Sequence, residues 1–147
     1  MLRINIIAIG KKHDPLLVDA IDHFQRRMAH SAVVTWDIIP PSDIDSESEK
    51  LIKRAGNSTV VLLDENGERY SSEDFSQLLQ RAKNQSAKQL SFIIGGAYGV
   101  NDAVVSRADI SMSLSTMVFP HQLVRLILME QLYRGFDILA GGKYHHS

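Results

Sequence analysis

The stretch Leu90-Ser91-Phe92-Ile93-Ile94-Gly95-Gly96-Ala97-Tyr98-Gly99 sets the architecture. An apolar run of strand length that breaks into glycines reads as a strand buried on both faces, followed by a tight turn. A short helix follows from about Asn101 to Arg107. The same unit recurs upstream. Ile4 to Ile9 is a first strand ended by Gly10. Asp14 is a good N-cap, Pro15 suits the first helical position, and Leu17, Ile21, Phe24 and Met28 recur at helical spacing. Val33 to Ile39 is a second strand, stopped by Pro40-Pro41. Ser46-Glu47-Ser48-Glu49 offers a capping box for a short polar surface helix through Arg54.

Thr59 to Asp64 is a third strand, and Glu65-Asn66-Gly67-Glu68 a turn. Ser71 caps a helix that turns Phe75, Leu78, Leu79 and Ala82 inward. Downstream of the glycines, Ile110 to Leu114 is a fifth strand, and Pro120 opens the longest helix, to about Phe136. The tail Ala140 to Ser147 is too polar and glycine-rich for regular structure. Strands alternating with helices predict an α/β fold, a mostly parallel sheet flanked by helices.

The chain has 147 residues, which fits one domain spanning 1–147. Apolar residues make up 44% and charged residues 22%, which excludes a disordered chain and a membrane bundle. No cysteine is present, which excludes disulfides, thiolate catalysis and cysteine zinc sites. Net charge is −1, so nucleic-acid binding needs a local basic patch or an oligomer. Ile4 to Ile9 is too short for a signal-peptide core or a membrane span, and a cytoplasmic, soluble protein is expected.

Ligands of open α/β sheets bind at the strand ends, where glycines allow close backbone approach. Gly95 to Gly99 fits such a loop and equally fits a plain strand-to-helix turn. Walker loops, H-E-x-x-H and G-x-S-x-G elbows are missing, which speaks against ATP, zinc and serine-triad chemistry; no metal is expected. The stretch Ser113 to Arg125 is the most informative. Its loop offers backbone groups to a flat heterocycle, with Leu114, Met117 and Phe119 to sandwich it. His121 and Arg125, four apart, are expected on one helix face. Glu130 and Arg134 share the same spacing and form an expected ion pair, on a solvated helix surface or in a catalytic site. Leu123, Ile127, Leu128 and Leu132 read as core or dimer interface.

Taken together, Leu62-Leu63-Asp64, Phe92-Ile93-Ile94-Gly95-Gly96-x-x-Gly99, Ser113-Leu114-Ser115-x-Met117-x-Phe119-Pro120-His121-Gln122-Leu123-x-Arg125, Glu130-Gln131-x-Tyr133-Arg134 and Tyr144-His145 resemble the RlmH family of small SPOUT methyltransferases. The resemblance runs from Ile4 to the C-terminus. It implies a SPOUT fold with a C-terminal trefoil knot, an exception to the rule against knots. It also implies a homodimer that uses S-adenosylmethionine to methylate N3 of a pseudouridine in large-subunit rRNA of the assembled ribosome. The implied partners are a second copy and the ribosome, with no membrane and no DNA.

By position, the resemblance puts Leu63, Gly95, Leu114, Ser115, Thr116, Met117, Val118 and Phe119 at the cofactor. Tyr144 and His145 would reach the target base or the neighbouring subunit's cofactor, as a composite site. The imide proton of N3 must leave; a nearby cation would favour the anionic base, with Arg125, Arg134 and the tail histidines as candidates and His145 as a general base. Two positions depart from the family pattern. The chain ends Tyr-His-His where an Arg or Lys usually follows Tyr-His, and Val118 replaces a common threonine. RNA contact is expected at Lys11, Lys12 and His13, at Arg26 and Arg27 (which better suit a solvated helix face), and at Lys143 and the tail. Tyr98 or Tyr144 would stack on a base. Two other readings compete: a SPOUT enzyme acting on tRNA, and a non-catalytic ribosome-binding factor.

Overall fold

The computed structural model describes residues 1–85, 87 and 89–146, so Ser147 of the tail lies outside the described residues. The elements run β1 Leu2–Ile9, α1 Pro15–Arg27, β2 Ala32–Ile39, α2 Ile44–Ala55, β3 Thr59–Arg69, α3 Ser72–Asn84, β4 Gln89–Ile94, α4 Asp102–Arg107, β5 Ile110–Ser113 and α5 His121–Leu139. The five strands form one sheet in the order β2-β1-β4-β3-β5, and every pairing is parallel. Parallel sheets are covered on both faces, which is why these strands read as near-continuous apolar runs.

Side chains alternate across the sheet. Ile4, Ile6 and Ala8 pack with Phe92, Ile94 and residues of α1, α3 and α5, such as Ile21, Leu79, Leu128 and Leu132. Ile7 and Ile9 pack the other way, with Ile93, Leu51 of α2 and Val104 of α4.

Local chemistry sets most helix starts. Asp14 accepts a hydrogen bond from the Leu16 N–H at 2.9 Å, with Pro15 opening α1. Ser71 and Asp74 cap α3 reciprocally as a capping box. Asn101 accepts from the amides of Ala103 and Val104.

Five expectations need correction. The start of α2 is capped by Asp43, whose carboxylate accepts from the Ser46 N–H at 2.9 Å, so the helix begins before the predicted box. Nor is α2 a plain surface helix, because Glu47, Ser48, Leu51 and Ala55 are buried. The expected turn at Glu65 to Glu68 lies inside β3, which bulges: Leu63 and Glu68 both pair with Met112. Gly67 permits this, since a β-carbon there would stand 2.7 Å from the Ser111 carbonyl. Strand β5 also ends one residue earlier than expected, at Ser113, and α5 runs three residues further, to Leu139.

Candidate functional site

In an all-parallel sheet the loops leaving the strand ends share one edge. Two of them, after β4 and after β5, meet the bulged middle of β3 at a cleft of about 540 Å³. The β3 bulge supplies Leu63, Asp64 and Glu65; the β4 exit supplies Gly95 to Val100; the loop before α5 supplies Val118 and Phe119. His121 and Val124 close it from the first turns of α5. The volume is in the range that holds a nucleoside-sized ligand. Two of the lining side chains are carboxylates, Asp64 and Glu65, which suits a cationic ligand.

The predicted cofactor residues divide. Leu63, Gly95, Val118 and Phe119 line the cleft. Leu114 lines a neighbouring hollow of about 220 Å³ beside α3, and Phe119 borders both. Ser115, Thr116 and Met117 line neither. Ser115 accepts from the Met117 N–H at 3.0 Å, while its own carbonyl accepts from the Ser113 hydroxyl at 2.9 Å, so this loop is tied to itself. Met117 is 71% exposed, outside the cleft lining and away from the hollow that Leu114 lines. Sequence reading missed Asp64, Glu65, His121 and Val124 as lining residues; the signal was their place next to Leu63 and Phe119.

The catalytic candidates lie in two separate groups. Arg134 pairs with Glu130 at 2.8 Å, as the four-residue spacing predicted, and this carboxylate holds the guanidinium firmly in its charged form. Arg134 also lies over the Tyr144 ring, and its Nη1 stands 3.0 Å from His145 Nδ1. On its other side, His145 Nε2 lies 2.8 Å from the Glu73 carboxylate at the start of α3. The hydrogen bond from His145 draws the Glu73 carboxyl below its usual range. Arginine only donates, so Nδ1 accepts and Nε2 carries the proton that His145 donates to Glu73.

The tail thus lacks regular structure but is docked. The Tyr144 N–H donates to Asp137 Oδ2 at 3.0 Å, and a β-carbon at Gly142 would overlap that carboxylate. His146 and Lys143 are exposed.

Arg125 stands apart from this cluster. It is buried at 1% exposure, while His121, expected on the same face, is exposed on the cleft. Arg125 Nη1 donates to the Lys11 carbonyl at 2.8 Å and lies 3.2 Å from His13 Nδ1. Among the described residues no carboxylate pairs with it, its Nε has no partner, and burial pulls its pKa down.

Of the RNA candidates, Lys11, Lys12 and Arg26 are exposed and Tyr98 is 91% exposed beside the cleft. Arg27 is engaged with Tyr133, donating to its hydroxyl at 2.7 Å. Among the described residues no three metal-ligating side chains cluster, and no helix is long and apolar enough to cross a membrane.

A family model described as predicted SPOUT methyltransferase matches residues 2–145. The chain is 41% identical, over 99% of both chains, to a protein of Christiangramia forsetii named ribosomal RNA large subunit methyltransferase H. A protein of the same name from Flavobacterium johnsoniae is 40% identical over 99% of this chain and 100% of that one. In three dimensions, a probable methylase family protein from Haemophilus influenzae superimposes with a TM-score of 0.55 at 12% identity, over 98% of this chain and 70% of that chain. At that identity the likeness speaks for the fold.

Proposed function

The chain belongs to the SPOUT methyltransferase family, and from that premise we propose that it is an S-adenosylmethionine-dependent methyltransferase acting on N3 of a pseudouridine in large-subunit rRNA of the assembled ribosome. The observation that carries this reading is the meeting of Leu63 from the β3 bulge with Gly95, Val118 and Phe119 from the loops after β4 and β5, in one cleft. The relatives of matching length bear an rRNA methyltransferase name, which supports the choice of RNA.

The cleft suits the cofactor. Its walls are loop backbone and apolar side chains, fitted to an adenosine, and Asp64 and Glu65 complement a sulfonium and an ammonium group. When bound, the cofactor supplies an electrophilic methyl group. The chain's part is to align the acceptor nitrogen and exclude water. Phe119, between the cleft and the hollow beside α3, and Met117 and Val118 on the exposed loop are placed to cover the ligand. Arg134 lies outside the cleft lining, beside Tyr144 and His145, and its charge would favour the N3 anion of a base presented there. His145, held between Arg134 and Glu73, has neither nitrogen free in this docked state. Its service as a base therefore requires release from α3, and we assign that state to a homodimer in which Tyr144 and His145 complete the partner's site.

The test is transfer of labelled methyl from S-adenosylmethionine to ribosomes lacking the modification, with free rRNA and bulk tRNA in parallel. Label on one pseudouridine, in assembled ribosomes alone, is expected. Label in tRNA would overturn the substrate, and absence of both label and cofactor binding would leave a non-catalytic ribosome factor.

A further inference from the structure

The β1 exit, Gly10 to Asp14, lies on the same sheet edge as the cleft and carries Lys11 and Lys12 outward. Its position is fixed from an unexpected quarter. Gln122 Oε1 accepts from the Asp14 N–H at 2.9 Å, and Gln122 Nε2 donates to the Lys12 carbonyl at 3.3 Å. One turn on, Arg125 donates to the Lys11 carbonyl. Two side chains of α5 thus hold three backbone groups of the loop, across more than 100 residues of sequence.

The same turn faces the cleft with its other side, through His121 and Val124. Arg125 is charged, buried and without a carboxylate among the described residues, a costly arrangement whose observed contacts are this loop and His13.

We infer that Gln122 and Arg125 are positioning residues that hold Lys11 and Lys12 in place for the phosphates of the RNA substrate, on the turn that also closes the cofactor cleft. This rests on the rRNA methyltransferase reading above. The two lysines are the phosphate contacts; Gln122 and Arg125 act through them and not on the reacting atoms.

The experiment compares Lys11→Ala/Lys12→Ala, Gln122→Leu and Arg125→Lys with the wild-type protein. It measures kcat and KM with ribosomes, cofactor affinity, and amide exchange at Asp14. Gln122 is half-buried, so Gln122→Leu keeps the test open if the Arg125 variant fails to fold.

The expected result is a rise in ribosome KM of about fivefold or more for both the lysine pair and Gln122→Leu. With it should come unchanged kcat and cofactor affinity, a shallower salt dependence, and faster exchange at Asp14 in Gln122→Leu. If the lysine pair changes neither KM nor its salt dependence, the loop is not an RNA contact and the inference fails at its base. If the lysines matter but Gln122→Leu leaves KM and salt slope unchanged, or lowers kcat instead, the positioning inference alone is overturned. If the wild-type protein transfers no methyl, the failure belongs to the functional reading.

Discussion

His13 shows what a single residue feels at this site. Its pKa is lowered, first by burial and next by the neighbouring Arg125, with Asp22 opposing. Its Nδ1 accepts from that arginine, so protonation would place a second cation against a buried one. A lowered histidine pKa means the unfolded chain binds more protons. Stability should therefore fall as pH drops below about 6.5, until the folded-state pKa is passed. Urea unfolding across pH 5–8 should show this slope, and His13→Gln should flatten it. Glu73 acts in the same direction in a lower window: its depressed pKa contributes stability that is lost as pH falls from the usual carboxylate range through the folded value.

Residue-level legibility was uneven for a simple geometric reason. Four helical positions rotate by about 40°, so His121 and Arg125 are near neighbours on the wheel. The boundary between cleft and loop falls between them, and one is exposed while the other is buried. Spacing gave the Glu130–Arg134 pair because both partners lie on one helix. It could not give Arg125 to Lys11, because that contact joins distant segments.

At the scale of elements, apolar runs, helical spacing and capping signals located every strand and helix. The errors sit at ends, at a bulge and in the burial of α2. Asp43 and Ser46 both precede helical sequence, and a cap depends on backbone geometry that composition does not encode. The continuation of β3 past Gly67 depends on β5 lying close beside it. Gly67→Ala should therefore cost about 1–3 kcal/mol by denaturant unfolding, because backbone atoms of β5 cannot yield as a side-chain tip can. In α5, Leu132 is fully buried between the sheet and its flanking helices. Leu132→Ala should cost about 2–5 kcal/mol. The docked tail makes a separate prediction: truncation before Tyr144 should remove methyl transfer while leaving cofactor affinity within about twofold, because the cleft takes no lining residue from the tail.

For the whole molecule, the sheet order gathers residues 63, 95 and 119 at one edge, although sequence alone separates them. Alternating strands and helices made the α/β class legible. The strand order, the path of the chain and any knot are global properties that local periodicity does not carry. The near-neutral charge also acts at this scale. Binding to free rRNA should be no tighter than nonspecific binding, with Kd of about 10⁻⁴–10⁻⁶ M at physiological salt. Assembled ribosomes should bind more tightly, as a filter-binding salt series would show.

If the β3 bulge and the loops after β4 and β5 form the cofactor site, ultraviolet crosslinking of labelled S-adenosylmethionine to the protein, followed by peptide mapping, will find label within residues 62–66, 94–100 or 118–124, displaced by unlabelled cofactor. Specific label confined to other segments, or saturable binding unaffected by bulky substitution at Val118 and Gly95 together, would contradict that assignment.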